Sequence, residues 1–129
     1  MNPIAAHVTG LQHIGLPTND MEKTLIFYRS LGFELAHEAM NGEERVCFLK
    51  LKNVCVEAYQ NFRAVGHAGA INHIALDVDD VCAAWDAVTA AGYVPMEAES
   101  RFLPFWENGV KFFNILGPNM ETVEFSQYL

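Results

Sequence analysis

The stretch LQHIGLPTND at residues 11–20 returns as INHIALDVDD at residues 71–80, and this repetition decides the fold. His13 corresponds to His73 at an offset of 60 residues, and the aspartates that end both stretches keep the same offset. A run of matches in one register indicates an internal duplication rather than a coincidence. The sequence is therefore expected to form two related modules.

Length and composition limit the class of protein. The chain has 129 residues, of which 51% are hydrophobic, enough for an ordinary core and too many for a disordered chain. The net charge of −8 argues against nucleic acid or an anionic membrane surface as a partner. We expect one domain over residues 1–129, with module one at about residues 8–61 and module two at about residues 70–128.

The N-terminal sequence and the cysteines favour a cytoplasmic location. The start MNPIAAHVTG lacks the basic region of a secretory signal, and no apolar run approaches the roughly 20 residues of a membrane helix. Cys47, Cys55 and Cys82 are odd in number, lie in apolar contexts and form no CxxC motif. Buried free thiols in a reducing cytosol are the expectation.

Each copy of the repeat predicts a strand, a helix and three more strands. The candidate N-cap residues are Asn19 or Asp20 for the first helix and Asp79 or Asp80 for the second. Gly32 and Gly92 stand where the helices would end. The strand-like segments that follow are FELAHE, ERVCFLKL and NVCVEAYQ in the first copy, and YVPMEA, VKFFNIL and METVEFSQ in the second. The second copy is longer, and its extra residues are expected in or near the loop RFLPFWENG.

Side-chain alternation along these strands places four polar residues opposite apolar stripes. They are His13 and Glu57 in the first copy, and His73 and Glu124 in the second. We predict an α+β fold, in which two tandem βαβββ modules form curved mixed sheets around a metal cleft. Two imidazoles and two carboxylates suit a divalent transition metal. The alternative is a separate structural or surface role for each residue.

The motifs resemble the vicinal oxygen chelate superfamily. The resemblance covers about residues 8–128 and is carried by QHIGL, FYRSLGFEL, NHIAL and GPNMETVEF. This superfamily includes glyoxalase I, methylmalonyl-CoA epimerase, extradiol dioxygenases, fosfomycin-resistance proteins and bleomycin-binding proteins. Within it, the chain looks most like glyoxalase I.

The resemblance implies one divalent metal ion held by His13, Glu57, His73 and Glu124. Nickel or zinc is the expected metal, with cobalt, manganese or iron as alternatives. Glu57 is the discriminating residue, because dioxygenases and fosfomycin-resistance proteins are typically built on two histidines and one glutamate. The implied reaction is proton transfer through a metal-stabilised enediolate, with Glu124 as the first choice of base and Glu57 as the second.

Three residues are expected to contact the substrate. Asn61 agrees with an asparagine that assists glutathione binding in glyoxalase I, although Pro17 replaces an arginine that is common there. Phe105 and Trp106 are too apolar for a loop that only faces solvent. They are expected to form a wall over the cleft, and the alternatives are packing against the other module or a dimer interface. The remaining histidines have no counterpart in the repeat and are expected to be ordinary: His7, His37 and His67.

The expected function is that of a metal-dependent lyase or isomerase acting on a small carbonyl compound or its thiol adduct. Three alternatives stay open: a methylmalonyl-CoA-type epimerase, an extradiol-type dioxygenase, and a non-catalytic module that binds a small molecule. A homodimer is expected, because dimers are common in the superfamily. The cleft then forms either within one chain or between two chains.

Overall fold

The computed structural model describes residues 2–129, which form two four-stranded mixed sheets with one helix each. A short 3₁₀ turn at Ala5–His7 precedes them. Module one contains β1 (Ile14–Thr18), α1 (Met21–Ser30), β2 (Glu34–Asn41), β3 (Glu44–Leu51) and β4 (Val54–Gln60). Module two contains β5 (His73–Asp77), α2 (Val81–Ala90), β6 (Arg101–Leu103), β7 (Val110–Leu116) and β8 (Thr122–Tyr128).

The strand order is the same in both sheets. It is β1-β4-β3-β2 in module one and β5-β8-β7-β6 in module two. The first strand of each module runs parallel to the last, and the other neighbours are antiparallel. The predicted α+β fold of two tandem βαβββ modules is therefore confirmed. No helix in residues 2–129 is long and apolar enough to cross a membrane.

In both helices the second of the two candidate residues is the N-cap, Asp20 for α1 and Asp80 for α2. The Asp20 carboxylate accepts a hydrogen bond from the backbone N–H of Lys23, and the Asp80 carboxylate accepts bonds from the two residues after Val81. The last strand of each module adds a second anchor. The side-chain oxygens of Gln60 and Gln127 accept hydrogen bonds from the first helical N–H groups, at 2.7 and 2.9 Å. Each helix start is thereby fixed to the strand that carries the candidate glutamate.

One strand of module two lies elsewhere than predicted. Residues 93–98 (YVPMEA) are not a strand, whereas β6 falls inside the expected loop. The Glu97 carboxylate accepts hydrogen bonds from the backbone N–H and side-chain amide of Asn114, at 2.7 and 2.8 Å. This side chain satisfies a β7 group that a neighbouring strand would bond, and Pro95 lacks an N–H for a ladder. The strand prediction for these residues was wrong for that reason.

The buried residues of both modules form one continuous apolar cluster beneath the helices. Phe113 and Val123 of module two and Leu49 and Ala58 of module one are fully buried. A core shared in this way couples the two modules energetically, since hydrophobic burial is the main favourable term in folding.

The three cysteines are unpaired, as predicted from the sequence. Cys47 is buried, and its thiol donates a hydrogen bond to the Glu38 carboxylate at 3.4 Å. Burial, and then this hydrogen bond, raise the pKa of Cys47 to about 11. The thiol therefore stays protonated and unreactive at neutral pH. Cys55 is half-buried and Cys82 is exposed, so the expectation of a buried thiol was wrong for Cys82.

A polar contact ties α1 to module two. The buried Tyr28 hydroxyl donates a hydrogen bond to Glu121 Oε2 at 3.0 Å. Burial, and then the charge of Glu121, raise the pKa of Tyr28 far above its usual value. The neutral phenol therefore stabilises the fold below a pH of about 10, and this contribution is lost as the pH rises further.

Replacing Tyr28 by Phe is expected to lower the free energy of unfolding by about 1.5 kcal/mol at neutral pH, because Glu121 loses a buried donor. Urea denaturation measures the change, and the difference from wild type should shrink in strongly alkaline solution. The matched control is Tyr128→Phe, since Tyr128 is 60% exposed. Equal losses in both variants would contradict this role for the buried phenol.

Candidate metal site

The two candidate histidine–glutamate pairs occupy equivalent places in the two modules. In module one, β1 and β4 pair Gly15 with Glu57, and His13 lies just before β1. In module two, β5 and β8 pair Ala75 with Glu124, and β5 starts at His73. Parallel pairing of the first and last strands thus brings each histidine beside its glutamate, as the repeat predicts.

The distances within the pairs suit two ligands of one metal ion. His13 Nε2 lies 3.4 Å from Glu57 Oε2, and His73 Nε2 lies 2.8 Å from Glu124 Oε2. Two ligand atoms bound at about 2.1 Å and at right angles to each other would be roughly 3 Å apart. Each pair therefore has the spacing of neighbouring ligands, and nitrogen with carboxylate oxygen fits a divalent transition metal.

The four candidate ligands lie in two pairs rather than in one cluster. Within residues 2–129, no group of three or more His, Cys, Asp or Glu side chains is arranged to hold a metal ion. All four side chains are partly exposed, from 14% for Glu124 to 44% for His73. A single chain therefore presents two accessible histidine–glutamate pairs.

An amide side chain that was not among the predicted site residues lies beside each histidine. His13 Nδ1 is 3.0 Å from Gln12 Oε1, and His73 Nδ1 is 3.0 Å from Asn72 Oδ1. The signal was present in the sequence, because an amide residue directly precedes the histidine in both copies of the repeat.

A cavity of about 570 Å³ opens on the sheet of module two beside the second pair. His73, Glu124 and Phe105 line it together with Asn114 and other residues. Phe105 therefore forms part of the wall of this cavity. The volume is within the usual range of small-molecule sites.

The other two predicted substrate contacts make different interactions. The Trp106 ring packs edge-on against Tyr128, with 5.8 Å between ring centroids, and Trp106 is 76% exposed. The Asn61 side-chain oxygen accepts a hydrogen bond from the Arg63 backbone N–H at 2.9 Å, which shapes the turn after β4. In one chain, therefore, Phe105 is the predicted contact that lines a cavity beside a candidate pair.

A bulge in β2 turns His37 toward the first pair. The bulged residue is Ala36, and His37 is the residue that pairs with Phe48 on β3. The His37 and Phe48 rings are 5.9 Å apart, and Phe48 lies at the same distance from His13. These rings form a row across module one. Strict alternation would turn His37 away from Phe48, so the sequence alone gives no sign of this row.

A second cavity, of about 230 Å³, lies between the modules. Ile14, Tyr28, Ile74 and Glu121 line it, and His67 lines both cavities. His67 was predicted to be an ordinary histidine. Its ring Nδ1 lies 2.9 Å from the Ala68 backbone oxygen, which anchors it to its own loop.

Comparison with known proteins supports the fold seen here. The sequence is 29% identical over 124 residues to the uncharacterized protein YwbC of Bacillus subtilis strain 168, covering 91% of this chain and 96% of that protein. A glyoxalase family protein from Enterococcus faecalis has a TM-score of 0.77 at 20% identity, covering 92% of this chain and 97% of the other. The fosfomycin resistance protein FosX from Listeria monocytogenes has a TM-score of 0.74 at 17% identity, covering 95% of each chain.

At these identities the solved structures show a shared fold alone. The family is shown by the sequence, which matches the Glyoxalase/Bleomycin resistance protein/Dioxygenase superfamily over residues 10–125. That stretch includes both histidine–glutamate pairs and nearly all of both modules. The chain therefore belongs to the Glyoxalase/Bleomycin resistance protein/Dioxygenase superfamily, also called the vicinal oxygen chelate superfamily.

Proposed function

We propose that the protein is a divalent-metal-dependent lyase or isomerase of the glyoxalase I type, acting on a small carbonyl substrate or its thiol adduct. The observation that carries the proposal is the duplicated contact between His Nε2 and Glu Oε2, at 3.4 Å in module one and 2.8 Å in module two. Together, the pairs would hold one nickel or zinc ion and leave positions for the substrate. When bound, the ion would polarise the substrate carbonyl and stabilise negative charge on its oxygen.

The complete site would form between two copies of the chain. One copy offers two half-sites, and dimers are frequent in this superfamily. The N-terminal arm before β1 also exposes apolar side chains, among them Ile4 (77% exposed), Val8 (63%) and Leu11 (76%). Burying these residues against a partner would be favourable. In the proposed dimer, module one of one protomer faces module two of the other.

Glu124 is the preferred base, and Glu57 is the second choice. Glu124 lines the large cavity in which a substrate would lie, and Asn114 is its cross-strand neighbour. Its carboxylate would remove a proton from the carbon beside the carbonyl and return it to a neighbouring atom. The three unpaired cysteines fit a reducing compartment, so the cytosol is the proposed location.

Metal analysis of protein purified without added metal tests the site. We expect about one equivalent per chain, and at least a roughly 10-fold loss of affinity in Glu57→Gln and Glu124→Gln, because an amide replaces a charged ligand. Glu43→Gln, an exposed substitution in the β2–β3 turn, is the matched control and should retain the metal. Wild-type protein that binds no divalent metal would contradict the proposal.

The reaction is tested with methylglyoxal and glutathione, with other small thiols, and with no thiol, in heavy water at saturating metal. We expect an isomerised product that carries solvent deuterium, and a rate at least about 100-fold lower for Glu124→Gln. Metal binding without turnover of any carbonyl substrate would instead indicate a binding protein. Inversion at a carbon beside a thioester would indicate an epimerase.

Mixing two inactive variants tests the dimeric site. His13→Ala removes the histidine ligand of module one, and His73→Ala removes that of module two. Each variant alone is therefore expected to be inactive. After subunit exchange, each mixed dimer would contain one intact site, and activity should return to about one quarter of wild type. No recovery in demonstrably mixed dimers would contradict a site shared between chains.

The cavity wall is tested by comparing two neighbouring substitutions. Phe105→Ala is expected to change kcat/KM by about 10-fold with bound metal unchanged, because the ring lines the cavity beside Glu124. Trp106→Ala should have the smaller effect, since its ring packs on Tyr128. The reverse order would mean that Trp106 contacts the substrate from the partner subunit or in a closed state.

A further inference from the structure

The cavity of about 230 Å³ between the modules is lined mostly by apolar residues, among them Ile14 of β1 and Ile74 of β5. It adjoins the larger cavity, but Glu121 lines the cavity between the modules alone and Glu124 lines the larger one alone. We propose that the cavity between the modules is a second binding site, which takes a small organic ammonium ion with an apolar body. The inference goes beyond the proposed function and uses none of the candidate metal ligands.

The charge in this cavity has no cationic partner. Among residues 2–129, Glu121 is the one carboxylate in the lining, which holds no lysine or arginine. Glu121 is half-buried and forms no ion pair with a lysine, arginine or histidine of the same residues. A carboxylate at the wall of an apolar space is costly unless an opposite charge pairs with it, so a cationic ligand would be stabilised there.

Neutral donors fix the position of the Glu121 carboxylate. Oε2 accepts a hydrogen bond from the Tyr28 hydroxyl at 3.0 Å, and Oε1 accepts one from the Asn119 backbone N–H at 2.8 Å. The carboxylate also lies against Gly117, where any side chain would collide with it. These contacts hold the carboxylate without balancing its charge, and each oxygen keeps a lone pair for a further donor.

Other acceptors beside Glu121 suit the three hydrogens of an ammonium group. The buried Tyr28 hydroxyl gives its hydrogen to Glu121, so its own oxygen is free to accept one. Both β1 and β5 line the cavity, and each is an edge strand that pairs with one neighbour within residues 2–129. Edge strands present unpaired backbone carbonyls, which accept hydrogen bonds without adding a formal charge. An anion, by contrast, would be repelled by Glu121.

The volume limits the apolar body to one ring with a short arm. A dry apolar cavity of roughly 150 Å³ binds benzene, so one of about 230 Å³ has room for a ring and a few more atoms. The apolar walls would bury the ring while the ammonium group reaches Glu121. The net charge of −8 also favours the approach of a cation.

The test uses phenethylammonium as the probe, titrated by calorimetry into the full chain in the presence of a chelator. The neutral 2-phenylethanol and the anion phenylacetate carry the same ring and are the comparison ligands. Glu121→Gln is expected to weaken phenethylammonium binding by about 10-fold or more, because a charged hydrogen bond is lost. Binding of 2-phenylethanol should be unchanged, since the glutamine oxygen still accepts the bond from Tyr28.

Two further variants locate the binding and control for net charge. Glu124→Gln removes the carboxylate of the larger cavity, and Glu43→Gln removes an exposed charge in the β2–β3 turn. Both should bind phenethylammonium as wild type does. The inference would be overturned by a loss in Glu124→Gln rather than in Glu121→Gln, or by wild type that binds phenylacetate as well as phenethylammonium.

Methyl NMR of the wild-type chain gives a readout that needs no variant. The probe ring should shift the methyl signals of Ile14 and Ile74, whereas Ile26, which is 67% exposed on α1 and outside the cavity, should not move. Unmoved Ile14 and Ile74 signals at saturating probe would refute the site. Because the chelator removes metal throughout, these results stand or fall independently of the proposed lyase or isomerase.

Discussion

The parallel pairing between the first and last strands of each module is the constraint on which the site depends. It joins β1 to β4 and β5 to β8, and it sets a histidine beside a glutamate that is distant in sequence. A parallel pair needs a crossover, and α1 or α2 begins that connection in each module. Gln60 and Gln127 then bond the helix starts to the last strands, so the helix and both strands hold one another in place.

In each amphipathic sheet, one face packs in the core and stabilises the fold, and the other carries the candidate ligands. The faces toward the helices supply the shared apolar core, in which Phe113 and Val123 are fully buried. The candidate ligands stand on other faces and stay partly exposed, so they carry little of the packing energy. Substitutions at the candidate ligands are therefore compatible with a folded chain. The two modules present two histidine–glutamate pairs without burying unpaired charge.

Much of the fold and part of the site followed from local sequence signals. The helix starts at Asp20 and Asp80 were predictable to within one residue, because capping depends on a few neighbouring residues. The position of β6 was not predictable from local signals. The hydrogen bonds between Glu97 and Asn114 in this region join segments that are apart in the sequence. The β2 bulge that turns His37 toward Phe48 also left no local signal, because an extra residue in a ladder is defined by its partner strand.

The sequence by itself determined the duplication, the α+β modules and the types of side chain that face each candidate site. These properties depend on periodicity, residue chemistry and the offset between the two copies. Only the tertiary structure decided that the four candidate ligands lie as two pairs in one chain, that Phe105 lines the cavity, and that an amide side chain lies beside each histidine. Such relations depend on distances and side-chain directions set by packing, and these are fixed once the modules have folded against each other.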